Sequence, residues 1–132
     1  MARFLVPSKR ERYAEFLFRP KGRQKFIGEL AHFKSLDPKC IVLIPPSEHK
    51  PTTVARILES RGAPTMSRVV SEDSDLDARE MELVRALKET IGRGMGTFIS
   101  CIPGKLAFFE NEDGRYILLR SKWLTGFLLL SN

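Results

Sequence analysis

The stretch SEDSDLDAREMELVRALKETIGRG, residues 71–94, decides how the rest of the chain is read. Taken whole it reads as one amphipathic helix: Ser74 caps it, Asp75 and Asp77 suit the positive end of its dipole, and Leu76, Leu83, Val84, Leu87 and Ile91 make an apolar stripe. Gly92 then stops it. Such a helix links a strand in TMSRVVS (65–71) to another in TFISCI (97–102). A strand–helix–strand connection of this length predicts a right-handed crossover between parallel strands.

Working outward, KCIVLIPP (39–46) is a short branched apolar run closed by two prolines, which predicts a buried strand. Pro51 opens a helix with Val54, Ile57 and Leu58 on one face and Gly62 as its stop. KLAFFE (105–110) and RYILLR (115–120), set off by PG and NEDG turns, continue from TFISCI as an antiparallel meander. Upstream, Ser8 and Glu11 form a capping box for a helix over 9–18 ended by Pro20. Phe26, Ile27, Leu30 and Phe33 line one face of a second helix.

The expected architecture is a single α/β layered domain over 1–132, with a mixed sheet of about five strands: three parallel through helical crossovers, then the meander. It divides into a basic helical pair (1–36), a sheet core (39–120) and an apolar tail (121–132).

Charge is unevenly placed. Residues 1–36 hold nine Lys/Arg against three Asp/Glu, which accounts for the whole net charge of +6, while 37–132 hold 13 of each sign. A basic end of this kind suits a local anionic partner, nucleic acid or phosphate. In SKRERYAEFLFRPKGRQKF (8–26) the aromatics follow helical spacing and so belong to a core, leaving the cations as the binding feature. Lys9 and Arg10 stand in a helix first turn, against the dipole, and Arg19, Lys21, Arg23 and Lys25 crowd the joint between the two helices. The plain alternative is a solvated basic surface.

Three parallel strands would bring their carboxyl ends to one rim, where open α/β sheets hold ligands. That predicts a meeting of the loops 45–52, 71–77 and 101–105, with Ser47, Lys50, Thr52, Glu72, Ser74 and Lys105 as ligand-binding residues. His49 with Glu48 or Asp73 would serve there as a general base. The alternative reading makes these residues helix caps and solvated loop charge. DSDLDA spaces Asp73, Asp75 and Asp77 like a calcium loop but has Ala78 where that loop needs glycine. GRGMG (92–96) runs from helix into strand, the reverse of a nucleotide-binding glycine loop. Cys40 and Cys101 sit in apolar runs and read as buried thiols. Nothing here specifies a cofactor or a metal.

Three readings of different class follow. One is a binding or regulatory domain with an anionic partner, one an enzyme at the rim, and one an oligomer joined through Trp123, Leu124, Phe127 and Leu128 of the tail. With no segment long enough to span a bilayer, no signal peptide and no disulfide framework, a cytoplasmic setting is expected.

Overall fold

The computed structural model describes Phe4, Leu36 and residues 38–44 and 49–120. The expected N-terminal helices, the cations Lys9, Arg10, Arg19, Lys21, Arg23 and Lys25, the loop residues Ser47 and Glu48, and the tail residues Trp123, Leu124, Phe127 and Leu128 lie outside the described residues.

In chain order the elements are a 3-10 turn (Pro38–Cys40), β1 (Ile41–Leu43), α1 (Pro51–Ser60), β2 (Met66–Ser71), β3 (Glu80–Glu82), α2 (Leu83–Thr90), β4 (Thr97–Ile102), β5 (Leu106–Asn111) and β6 (Gly114–Leu119). The strands form one six-stranded sheet in the order β1-β6-β5-β4-β2-β3. Every neighbouring pair is antiparallel. The expected mixed sheet with three parallel strands is therefore wrong.

The error has a local and a global part. Locally, residues 71–82 are not helical. The Asp77 carboxylate accepts the Ser71 N–H at 3.0 Å, and the Asp73 carboxylate accepts the Asp75 N–H at 2.9 Å. These bonds shape the turn, and the Ala78 N–H then donates to the Val69 carbonyl at 2.9 Å while the Arg79 carbonyl accepts the Val69 N–H at 3.0 Å, so the backbone pairs with β2 where a helix would pair with itself. Ala78 is driven to φ 64°, a left-handed conformation that no helix tolerates. The chain reverses, and Glu80–Met81–Glu82 pairs back on β2 with Met81 buried between two exposed glutamates. Only then does α2 begin.

Globally, the ladder pairings make β1 and β2 run the same way, as expected for strands joined by α1, yet they are not neighbours. The meander β4-β5-β6 inserts between them. Its middle strand has all six residues buried, a pattern that only a central strand covered on both faces can satisfy. β1 and β3, three residues each, form the two edges.

The first face of the sheet carries α1 and α2, with Val54, Leu58, Leu83 and Leu87 packed over Val69, Ile99, Phe108 and Ile117. On the second face Phe4, Leu36 and Cys40 join Phe98, Ala107, Phe109 and Leu118, and the Phe4 and Phe98 rings stand 5.9 Å apart. β4 carries a register shift between Ser100 and Ile102 that leaves Cys101 as the extra residue.

Burial of β5 from both sides predicts that Phe108→Ala and Phe109→Ala, on opposite faces, each cost about 3–5 kcal/mol in urea unfolding. A cost for Phe109→Ala no larger than that of an exposed-site change would show the second face to be open.

Candidate functional site

Antiparallel pairing sorts the loops into two rims. One rim collects the end of β1 with His49, the 72–79 turn after β2, the glycine loop before β4, and the hairpin between β5 and β6. The other holds the Pro103–Lys105 turn, so Lys105 is removed from the remaining rim residues by the length of a strand. Lys105 is exposed there and its N–H donates to the Ile102 carbonyl.

The first rim is organised by a carboxylate that sequence reasoning passed over. Glu110 lies at the end of β5 with 1% of its surface exposed. Its Oε1 accepts the Gly92 N–H at 3.1 Å, its Oε2 accepts the Gly94 N–H at 3.0 Å, and the Arg115 guanidinium donates from the facing position on β6. Gly92 and Gly94 hold φ of 93° and 68°, the conformation that turns both N–H groups inward and that side chains rarely adopt. The GRGMG loop is thus an anion-binding nest, and the anion is the protein's own Glu110.

Two strands over, Glu72 repeats the device. Its Oε2 accepts the Gly96 N–H at 2.8 Å while its own N–H donates to the Gly96 carbonyl at 2.9 Å. Behind it Ser71 Oγ and Thr97 Oγ1 share a buried hydrogen bond of 2.7 Å, and Ser71 Oγ also accepts the Asp73 N–H. The Asp73 carboxylate faces Arg93 at 3.9 Å across the same loop.

His49 is tied into this network from the other side. Arg115 Nη1 is 3.0 Å from His49 Nδ1, and His49 Nε2 is 2.9 Å from the Ile44 carbonyl oxygen. A guanidinium can only donate and a carbonyl can only accept, so Nδ1 offers its lone pair to Arg115 and Nε2 carries the proton. Both ring nitrogens are engaged. The side chain that meets His49 is Arg115, and Asp73 stands on the far side of β6, β5 and β4, the end of β2 being roughly 19 Å from the end of β1 by strand spacing.

Of the other expected site residues, Lys50 holds the position before α1 without a side-chain cap, and Thr52 is exposed in its first turn. Ser74 is exposed in the 72–79 turn and caps no helix, since the residue before α2 is Glu82. Among the described residues no group of three His, Cys, Asp or Glu is placed to hold a metal ion. Burial pushes the Cys101 thiol up to about 12, which keeps it protonated and inert across the physiological range.

Comparison with protein-family models, curated proteins and solved structures finds no significant match, so the site is read from its own chemistry. A linear signal for Glu110 and Arg115 did exist. Each is a lone charge in an otherwise apolar strand, and the NEDG turn sets them opposite each other.

Removal of one member of a buried ion pair leaves the other without compensation. Glu110→Ala and Arg115→Met should each cost about 3 kcal/mol in urea unfolding, and the double variant less than the two costs added. Additive costs would show that the pair is not coupled.

Proposed function

We propose that this protein is a non-enzymatic binding or regulatory domain that holds an anionic partner, nucleic acid foremost, through the cations of its first 36 residues. The observation that carries the reading is the partition of charge: +6 in residues 1–36 and zero in residues 37–132. A cluster of cations of that density in one segment is the electrostatic footprint of phosphate binding.

The geometry adds two supports. Phe4 and Leu36, near the two ends of that segment, both pack on the second face of the sheet, away from α1 and α2, so the segment starts and finishes on one side of the domain. The polar groups of the rim, meanwhile, are spent inside the fold. Glu110 and Glu72 ligate the glycine loop, and His49 has both nitrogens bonded, so these described rim residues are engaged within the fold. Among the described residues no helix is long and apolar enough to cross a membrane.

Fluorescence anisotropy with labelled duplex DNA and single-stranded RNA at several salt concentrations tests this. Binding should weaken steeply with salt, and replacing Arg19, Lys21, Arg23 and Lys25 together by Gln should flatten the log–log slope by about 3. Equal binding by the substituted protein, with its circular dichroism unchanged, would contradict the proposal, as would failure of the native protein to bind either probe.

A further inference from the structure

At the glycine-loop rim the cations are answered from within the fold: Arg93 faces Asp73 and Arg115 holds Glu110. The opposite rim differs. Arg61 closes α1, and Gly62 beside it abuts β4, where a β-carbon would touch the Ile102 side chain at 3.6 Å. The Ile102 carbonyl accepts the Lys105 N–H at 2.9 Å, and the Lys105 carbonyl accepts the Arg120 N–H at 3.1 Å. Arg61, Lys105 and Arg120 therefore stand close together, along the ends of α1, β4 and β6. Among the described residues no acidic side chain pairs with any of the three.

Beside these cations the sheet splits. The β2–β4 ladder ends at Arg68 opposite Ser100, because the extra residue Cys101 carries β4 away. Between the separated strands lies a depression of about 180 Å³ lined by Met66, Arg68, Glu80, Ser100, Cys101 and Pro103. At the other end of the ladder the Glu72 N–H donates to the Gly96 carbonyl, and the alternation fixed there turns the N–H and C=O of Met66 toward β4, past the point where the ladder has ended. The Met66 side chain is 43% exposed.

One class of ligand supplies what both features lack. A cavity of roughly 150 Å³ accepts a benzene ring, so this one takes a single heterocyclic base. Met66 and Pro103 offer that base apolar contact, and a backbone donor and acceptor side by side complement the edge of an unpaired base. Phosphates attached to it need cations. Sheet order puts Lys105 and Arg120 on one side of the hollow and Glu80 and Glu82 on the other, so the strand leads from the hollow over β5 and β6. On the wall itself Arg68 faces Glu80 at 3.9 Å and offsets its charge. A duplex keeps its bases stacked and paired, so it reaches the cations and leaves the hollow empty.

We propose that this rim is a contact surface for single-stranded nucleic acid, with one base seated against Met66 and the neighbouring phosphates held by Lys105, Arg120 and Arg61. The proposal rests on the nucleic-acid reading above and names the form of strand, single rather than double, and a second place where it is held.

Fluorescence anisotropy with labelled oligothymidylate and with an abasic strand of the same length tests it, since the two share their phosphates and differ only in the bases. The native protein should bind oligothymidylate about tenfold more tightly. Ser100→Met, which fills the hollow without changing charge, and Met66→Ala, which removes its wall, should each bring the two strands to nearly equal affinity. Changing Arg61, Lys105 and Arg120 together to Gln should flatten the log–log salt slope by about 2 on both strands, while Arg56→Gln with Lys88→Gln, both on exposed helix positions, should leave it unchanged. Each variant is checked for native circular dichroism, and if Ser100→Met fails to fold, Met66→Ala decides. The proposal is overturned by equal native affinity for the two strands, by a preference that survives in both hollow variants, or by an unchanged slope in the rim variant. In each of these cases a flattened slope in the Arg19, Lys21, Arg23 and Lys25 variant leaves the anionic-partner reading standing, whereas binding to neither strand overturns both. Displacement by polyglutamate as effective as by unlabelled strand would assign the rim to acidic polypeptide and also overturn the proposal.

Discussion

Burial of β5 on both faces is the constraint on which this architecture depends. Leu106–Asn111 exposes none of its six residues, so the strand has to lie in the middle of the sheet with a layer on each side. α1 and α2 supply one layer, and Phe4, Leu36 and Cys40 contribute to the other. Once β5 is central, its hairpin partners β4 and β6 flank it, and β1 and β2, though joined by α1, are forced apart to either side of the meander. The crossover through α1 keeps the direction that chain connectivity favours and gives up adjacency.

The same central strand sets the chemistry of the rim. Its apolar run ends in Glu110, a carboxylate carried into the interior by the burial of its neighbours. That charge is held by Arg115 and by two inward-turned glycine N–H groups. Glu72 holds the third glycine of the loop in the same way. Arg115 then reaches His49, and His49 reaches the end of β1, so one chain of hydrogen bonds runs from the glycine loop to the entrance of α1. Polar residues that resemble a reactive cluster in the linear sequence act here as internal ligands for backbone. This is why the functional reading rests on the cationic first 36 residues.

Much of the fold was legible where the signals are local. Pro51 and Gly62 bound α1, with Gly62 at φ 100°. The PG and NEDG turns located β4, β5 and β6 to within a residue or so. The failure came at residues 71–82, where Leu76 falls in phase with Leu83 and Leu87 of α2 and hides the alternation of Glu80, Met81 and Glu82. The left-handed Ala78 and the pairing of Ala78 and Arg79 with Val69 turn the chain back through contacts that periodicity does not register. Strand order was not legible from connectivity, although the unbroken apolar run Leu106–Phe109 did carry the hint of a central strand. At the site, His49, Glu72 and Asp73 share a rim because β1 and β2 run the same way. Lys105 fell to the other end because β4 does not.

The most direct test of the central claim is amide hydrogen exchange resolved by residue. If β5 is the two-sided centre of the sheet, the N–H groups of Ala107, Phe108 and Phe109 should exchange only through global unfolding, with protection equal to the full unfolding free energy and greater than that of the edge strands β1 and β3. Exchange of the β5 amides at rates like those of β1 or β3, or with protection well short of the global value, would contradict the account.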